Sequence, residues 1–248
     1  MIVHPDTIWS RWNGHKFRKA AGTRPGVLTT VLCTSGLAVE AKIARAAGFS
    51  VVVGAGDRDR TKALIETAAA ETDYLVSFGI AGGLAAELGA GTVIVSGEVV
   101  SERQSWNVEG RYRDWLREFA QTIGAIEGPV YGASSVLATR LEKQRAHAAT
   151  GALAVDLESE IVARTAAALG IPFLVLRTIA DTARRDLPPA SLIPLAADGT
   201  PNHSRVFAAV LRRPLQLTGM IGLAREAALA LSALIGPARA LRAFVGAA

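Results

Sequence analysis

Cysteine and histidine are too sparse in this chain to build a disulfide framework or an evident metal site. Among the 248 residues there is one cysteine, Cys33, which excludes an internal disulfide and fits a reducing compartment. It lies in the apolar run VLTTVLC, where a buried structural thiol is more common than a reactive one. The four histidines stand singly, without metal-ligand spacing, at His4, His15, His147 and His203. The sequence therefore predicts no metal site.

Long apolar segments and tracts of one charge are also missing. Residues 1–19 contain no continuous apolar core of a secretory signal. The longest nonpolar tract, near residues 217–236, is interrupted by Arg225 and Glu226, so we expect no membrane-spanning helix. The net charge is +5, but the arginines are scattered among acids, and we expect no nucleic-acid partner. Together these features predict a cytoplasmic protein.

Short β-branched runs alternate with alanine-rich stretches, which is typical of a mostly parallel sheet covered by helices. We predict strands at 27–33, 50–54, 73–79, 92–100, 128–132, 152–156 and 172–180. Helices are predicted at 37–48, 59–71, 112–123, 138–149, 158–169 and 203–245, the last broken at Gly236 and Pro237. The predicted fold is a single α/β domain, with a mixed, mostly parallel β-sheet flanked by helices. Its predicted parts are an N-terminal tail (1–25), a catalytic domain (26–213) and a C-terminal helical extension packed on the domain (214–248).

Acidic residues stand at both ends of the apolar segment AVDLESEIVARTAAALGIPFLVLRTIAD, residues 154–181. Its second half is apolar on both alternating faces, as in a central strand of a parallel sheet, and ligands bind beyond the carboxyl ends of such strands. Asp181 lies at that end. It is either a helix cap for the residues that follow or a desolvated acid that holds a proton at neutral pH.

The acids at the front of this segment, Asp156, Glu158 and Glu160, fall where a strand becomes a helix. The helix dipole favours negative charge in a first turn and accounts for part of this cluster. In extended backbone Asp156 and Glu158 point the same way, and two such charges need hydrogen-bond donors. A ribose diol is a donor of this kind.

Two glycine-containing segments follow predicted strands. In SFGIAGGL, residues 77–84, the glycines allow a sharp turn and the close approach of a ligand; a tight strand exit without a ligand is equally consistent. The spacing fits neither a dinucleotide fingerprint nor a P-loop. In GAGDRDR, residues 54–60, Arg58 and Arg60 are candidates to hold an oxyanion. The alternative is that Asp57 or Asp59 caps the next helix and both arginines are solvated.

Residues 184–202, RRDLPPASLIPLAADGTPN, are rich in proline and turn formers and predict a long surface loop. Loops of this length are usually functional lids or disordered links.

Taken together, the motifs resemble the nucleoside phosphorylase family, which includes purine nucleoside phosphorylase and methylthioadenosine/S-adenosylhomocysteine nucleosidase. The resemblance is carried by GLAVEA, GIAGGL with GAGTVIVSGEVV, ALAVDLESEIVA and IPFLVLRTIADTA, in the family's order, over roughly residues 27–182. It implies that Glu158 binds the ribose hydroxyls and that Asp181 protonates the purine N7. No metal or cofactor is implied, with phosphate as co-substrate.

The resemblance also implies the remaining site residues. The expected nucleoside contacts are Gly79, Ile80, Ala81, Gly82, Ser135, Val136, Asp156, Leu157 and Glu40. The expected phosphate contacts are Gly36, Arg58 and Arg60. Glu40 matches, one residue out of register, the acid that positions water in nucleosidases.

The sequence departs from the family pattern at several positions. Ile80 and Ala180 stand where the family often has serine, and Ser77 stands where purine nucleoside phosphorylases have an arginine. A phosphate-binding arginine must therefore come from elsewhere, which favours Arg58 or Arg60. The departures also leave open a non-catalytic nucleoside-binding module.

A closer likeness, over most of the chain, is to the hopanoid-associated phosphorylases, in features such as TGALAVDLES, LPPASL and VLRRPLQL. It implies phosphorolysis of a 5'-modified adenosine, adenosylhopane, to adenine and a ribose 1-phosphate derivative. The alternative is hydrolysis of methylthioadenosine or S-adenosylhomocysteine. A homodimer is expected, because family pockets are often completed by a neighbouring subunit. The basic, leucine-rich C-terminal segment either contacts the inner membrane surface, or packs as a helix within the domain or at a subunit interface.

Overall fold

The computed structural model describes residues 30–246, and the predicted N-terminal tail lies outside them. The described residues form an α/β unit around one ten-stranded mixed sheet, as predicted. Its strands are β1 (Val31–Ser35), β2 (Ser50–Val53), β3 (Tyr74–Gly83), β4 (Val93–Ser96), β5 (Glu98–Val100), β6 (Ser105–Asn107), β7 (Ile126–Glu127), β8 (Val130–Gly132), β9 (Ala154–Asp156) and β10 (Phe173–Asp181). Its helices are α1 (Ala38–Ala46), α2 (Arg58–Ala68), α3 (Arg111–Ile123), α4 (Arg140–Thr150), α5 (Ser159–Leu169), α6 (His203–Arg212) and α7 (Leu217–Gly246).

Strand β3 is the centre of the sheet. It pairs in parallel with β1 over its first four residues and with β10 over most of its length, and its last two residues, Gly82 and Gly83, pair antiparallel with β9. Strand β10 continues to the antiparallel β4, whereas β9 leads through β8 and β5 to β6. Because β10 and β9 flank the same end of β3, their carboxyl-terminal acids are brought to one place.

Strand β10 is buried along its whole length except for its last residue, as its doubly apolar pattern predicted. Helix α5 ends at Gly170, which adopts the left-handed conformation expected of a C-terminal cap. A register shift between Ile179 and Asp181 marks a bulge at the end of β10. Bulges redirect side chains at strand ends, and this one changes the direction of the Asp181 carboxyl.

Some element predictions were wrong. The predicted strand 92–100 is two strands, divided at Gly97, where a Cβ would overlap the Val108 side chain. The glycines of residues 79–83 do not form a turn but remain in β3. The loop 184–202 contains a short 3₁₀ helix, Pro189–Leu192.

Helix α7 is continuous through Gly236 and Pro237, where a break was predicted; the break in the C-terminal region lies at the 3₁₀ turn Pro214–Gln216. Packing keeps α7 helical through Pro237, because one stripe of its side chains is buried in the main core: Leu234, Ala238, Leu241 and Val245.

By length and composition alone, one helix of the described residues, Pro214–Val245, is apolar enough to cross a membrane, with 28% of its apolar window buried. The two interrupting charges therefore did not reduce its hydropathy as much as expected. A helix that packs on a sheet inside a protein can have the same length and hydropathy, so these two properties do not show that the helix crosses a membrane.

Candidate active site

A cavity of about 270 Å³ opens at the carboxyl ends of β1, β3, β9 and β10. Both acids singled out from the sequence, Glu158 and Asp181, line it. The other predicted site residues in its wall are Gly36, Glu40, Ile80, Ala81, Gly82, Ser135, Val136, Asp156 and Leu157. Gly79, Arg58 and Arg60 are not among the lining residues.

The centre of one side of the cavity is Arg177, which the sequence analysis did not single out. Its side chain is buried, and its Nη2 donates to Glu158 Oε2 at 3.2 Å and to Ser77 Oγ at 2.8 Å. Nη1 donates to the carbonyl oxygen of Ile80 at 3.1 Å. Nε lies 2.8 Å from Asp156 Oδ2, an ion pair without hydrogen-bond alignment. An arginine from the neighbouring strand thus contacts Ser77, the position at which the sequence resemblance led us to expect an arginine.

The carboxylate of Asp156 is used by the protein itself. Its Oδ1 accepts from the backbone N–H of Glu158 at 3.1 Å and of Ser159 at 2.7 Å, and its Oδ2 accepts from Ser159 Oγ at 2.5 Å. These bonds satisfy N–H groups at the start of α5, as an N-terminal cap does. Asp156 therefore braces Arg177 and the helix, and Glu158 is the acid of this pair that remains for a ligand.

Glu158 carries a strongly perturbed carboxyl group. Burial raises the pKa of Glu158 to about 7, against the attraction of Arg177 and with the repulsion of Asp156 and Glu40 adding to the rise. Gly36 makes its position possible, because a Cβ on that residue would lie 2.6 Å from Glu158 Oε1.

Glu40, whose role the sequence left in doubt, lies in the same cavity. Its Oε2 accepts from the backbone N–H of Gly36 at 3.0 Å and of Leu37 at 2.8 Å, and its Oε1 accepts from Ile80 N–H at 2.8 Å. Burial raises the pKa of Glu40, while Arg177 and these donors lower it in part. Gly79 does not line the cavity but makes room for this carboxyl, because a Cβ there would overlap it.

The other end of the cavity is formed by Asp181 and Lys143. The next helical residues after Asp181 in the described part of the chain are Pro189–Leu192, so Asp181 caps no helix and the helix-cap interpretation was wrong. Its Oδ2 instead accepts from Nζ of Lys143, which also donates to the carbonyl oxygens of Thr182 at 3.0 Å and Arg185 at 3.1 Å. Burial raises the pKa of the Asp181 carboxyl above its ordinary value, and the Lys143 ammonium partly offsets that rise. This end holds an acid beside a fully buried cation.

The two arginines proposed for phosphate lie elsewhere. Arg58 forms an ion pair with Glu160 and donates to the carbonyl oxygen of Ala133 at 3.3 Å. Arg60 is exposed, and its backbone N–H is held at 2.9 Å by Asp57, which caps α2. Of the alternative interpretation of GAGDRDR, the structure shows the Asp57 cap and an exposed Arg60, but Arg58 is partly buried in its ion pair and is not solvated as that interpretation expected.

The remaining wall is largely apolar. It includes Val136 and Leu137 before α4, and Leu187 and Leu195 from the loop 184–202. The position of this loop could not be predicted from the sequence; in the structure, Leu187 and Leu195 cover part of the cavity.

A model of the phosphorylase superfamily matches residues 28–213 of the chain. A search of curated proteins found no match. Among solved structures, 5'-methylthioadenosine/S-adenosylhomocysteine nucleosidase of Neisseria meningitidis, in complex with methylthio-immucillin-A, has a TM-score of 0.62 at 17% identity, covering 89% of this chain and 100% of that one. The same enzyme of Helicobacter pylori, with butyl-thio-DADMe-Immucillin-A, has a TM-score of 0.56 at 13% identity, covering 84% and 97%. A futalosine hydrolase mutant of H. pylori has a TM-score of 0.54 at 13% identity, covering 74% and 98%. At these identities the structural likeness shows the fold alone.

Proposed function

The chain belongs to the phosphorylase superfamily, and from this premise we propose that it cleaves the N-glycosidic bond of a 5'-substituted adenosine. The observation that carries the proposal is that Glu158 and Asp181 line one cavity. Glu158 is paired with Arg177 and Asp181 with Lys143. One ligand in the cavity can therefore contact two carboxyl groups whose surroundings differ.

The purine lies at the Asp181 end. Breaking the glycosidic bond leaves an oxocarbenium-like sugar and moves negative charge onto the base. Asp181 donates a proton to N7, so that adenine departs without that charge. The buried setting raises the pKa of this carboxyl, which favours its acid form, and Lys143 holds its Oδ2 in place.

The ribose lies at the Glu158 end. Glu158 Oε2 is fixed by Arg177, and the carboxyl accepts hydrogen bonds from the 2'- and 3'-hydroxyls. These bonds strengthen as the sugar ring flattens and gains positive charge.

For the nucleophile we propose phosphate, held by Arg177 instead of Arg58 or Arg60. Glu40, Asp156 and Glu158 surround this guanidinium, and a phosphate anion would be repelled if all three were ionised. Burial raises the pKa of Glu158 to about 7 and also raises that of Glu40. Around neutral pH the local negative charge is therefore reduced, and a protonated carboxyl can donate to a phosphate oxygen.

Hydrolysis is the second candidate, and Glu40 is the observation that favours it. Its carboxyl is buried, fixed by three backbone N–H groups and close to Arg177, so it can hold and activate a water. The similar structures named nucleosidase and hydrolase carry the same fold.

For the 5'-substituent we propose an apolar group. The apolar wall of Val136, Leu137, Leu187 and Leu195 supports this choice, as does the sequence likeness to enzymes of adenosylhopane. Adenosylhopane is thus the proposed substrate.

Incubation of the purified protein with 5'-substituted adenosines, including adenosylhopane, with and without phosphate, tests the proposal. We expect adenine release that requires phosphate and yields a ribose 1-phosphate derivative detected by mass spectrometry. The apparent KM for phosphate should rise as pH rises above about 7, because Glu158 then ionises beside the phosphate site and repels the anion. Release of a free ribose derivative without phosphate would establish hydrolysis instead, and no adenine release from any substrate would refute both reactions.

A further inference from the structure

The most exposed large apolar side chains of the described residues lie on one stretch, where α6 turns into α7. Phe207 and Leu211 each expose 65% of their surface, and Leu215 exposes 95%. Leu217 and Ile221 continue the series at 49% and 46%. Single exposed leucines are ordinary, but a run of them marks a surface that contacts something apolar.

Positive charge is concentrated on the same stretch. Residues 203–246 contain six arginines and one glutamate, whereas residues 30–202 contain 16 basic and 20 acidic residues. The glutamate, Glu226, is paired with Arg185. Arg205, Arg212 and Arg213 are exposed among the apolar side chains. Within residues 30–246, which the structure describes, the excess of positive charge is therefore carried on this stretch, which is also apolar.

The turn that presents these side chains is held in place. Phe207 and Leu211 are one turn apart on α6, and Leu217 and Ile221 are one turn apart on α7, so each pair shares a helix face. Between them, Gln216 Nε2 donates to the carbonyl oxygen of Ala209 at 2.8 Å, and Gln216 Oε1 accepts from Ala190 N–H at 3.0 Å.

We propose that this basic apolar face, formed by Phe207, Leu211, Leu215, Leu217 and Ile221 with Arg205, Arg212 and Arg213, docks on the surface of an anionic lipid bilayer. The apolar side chains enter the acyl region while the guanidinium groups bind lipid phosphates.

The chain lies on the bilayer and does not cross it. Further along α7, Ala230 is buried, and its carbonyl oxygen accepts from Thr178 Oγ1 of β10 at 2.9 Å. The apolar stripe that follows is part of the protein core.

The positive charge of this face disfavours a second copy of the chain and the N-terminal segment as occupants, and its apolar side chains disfavour a nucleic acid. A two-fold contact with a second copy would oppose the arginines of one face to those of the other. The N-terminal segment, residues 1–29, contains five basic residues and one acidic residue, so it is not complementary either. A nucleic acid would neutralise the arginines but gives the leucines nothing apolar to enter.

The face adjoins the cavity wall. Leu187 and Leu195 line the cavity. Ala190 lies between them in sequence, and its backbone N–H donates to Gln216 Oε1, in the turn that joins α6 to α7. Docking would thus place the cavity beside the bilayer. The docking itself does not depend on the proposed reaction.

The test is co-sedimentation of the full chain with vesicles of phosphatidylglycerol and phosphatidylcholine in equal parts, and with phosphatidylcholine alone. We expect wild type to bind the anionic vesicles and to dissociate as salt is raised. Arg212→Gln with Arg213→Gln should weaken binding by about 30-fold. Leu211→Ser with Leu215→Ser should weaken it by about tenfold or more.

Matched controls use side chains exposed elsewhere. Leu141→Ser, and Arg103→Gln with Arg113→Gln, should bind as wild type does. Adenine release from a water-soluble adenosine should be unchanged in all variants, so a loss of activity is distinguished from a loss of docking. No binding of wild type to anionic vesicles at low salt, or equal binding by the docking variants, would overturn the proposal. Equally, a wild-type dimer that the leucine variants dissociate would assign the face to a second copy, and DNA binding insensitive to them would assign it to nucleic acid.

Discussion

Two buried cations give the acids of the cavity different surroundings. Arg177 lies among Asp156, Glu158 and Glu40, whereas Lys143 contacts Asp181. An acid that must give up a proton and an acid that must hold a sugar need different surroundings. The pairing of each carboxyl with its own cation supplies that difference.

Replacing Lys143 tests this division of roles. In the proposed mechanism Asp181 acts in its protonated form, so turnover should fall as pH rises through its pKa. Burial raises that pKa and the Lys143 ammonium lowers it. In Lys143→Gln the opposing charge is lost, the pKa of Asp181 rises further, and the descending limb of the kcat against pH profile should move to higher pH.

The control is Arg140→Gln, which removes an exposed charge from the same helix. Its pH profile should match that of wild type. Circular dichroism would verify that Lys143→Gln is folded. If its descending limb stayed in place or moved to lower pH, Lys143 would have no influence on the protonation of Asp181.

The acids at strand ends were predicted from the sequence, but the cations that pair with them were not. Asp181 and Glu158 end or follow apolar segments, and the family motifs pass through both. Arg177 interrupts the apolar run IPFLVLRTIA, and a charged residue inside a buried strand indicates a buried ion pair. That signal was present in the sequence and was not used. Lys143 gave no signal, because its helix, RLEKQRAHAAT, is otherwise polar, and its burial arises from contacts with residues 181–185.

At the scale of elements, β3 shows how an extended strand can bring acids close to the backbone. Its glycines were predicted to turn, yet they remain paired with β10. Gly79 has φ of +152°, and a Cβ there would overlap the carboxyl of Glu40. The glycine is required by close approach and not by a turn.

Gly79→Ala should therefore destabilise the fold by about 2 kcal/mol or more, since both its backbone conformation and its space disfavour a side chain. Urea unfolding at constant pH measures the change. Gly89→Ala is the matched control, because nothing lies within 4 Å of a Cβ at that position. Equal stability of the two variants would contradict the packing of Glu40 against Gly79.

Elements with complete local signals were predicted closely. For α5 and β10 the apolar spacing, Gly170 and Pro172 all predict that the helix ends and the strand begins at the same place. Both elements were found within two residues of the expected bounds. The division of 92–100 depends on the packing of Val108 against Gly97, and the continuity of α7 depends on its burial against the core. These contacts are remote in sequence, so local patterns do not report them.

At the scale of the whole molecule, the register of three strands assembles the cavity. Gly82 pairs with Asp181 on one side and with Val155 on the other, so the ends of β10 and β9 meet beside one glycine. The sequence predicted a mixed sheet, but not which strands would be neighbours. Strand order is set by non-local pairing, so local patterns did not predict it. The meeting of Glu158 and Asp181 in one pocket was expected from the family resemblance alone, and both line the cavity.

The central claim is that Asp181 is the acid that releases the purine from a nucleoside held in this cavity. The most direct measurement is steady-state adenine release by wild type, Asp181→Asn and Asp186→Asn, the last being an exposed aspartate of the following loop. We expect kcat of Asp181→Asn to fall by about 10²- to 10⁴-fold, with KM within a few-fold of wild type and Asp186→Asn unaffected. A near-normal kcat in Asp181→Asn would contradict the account.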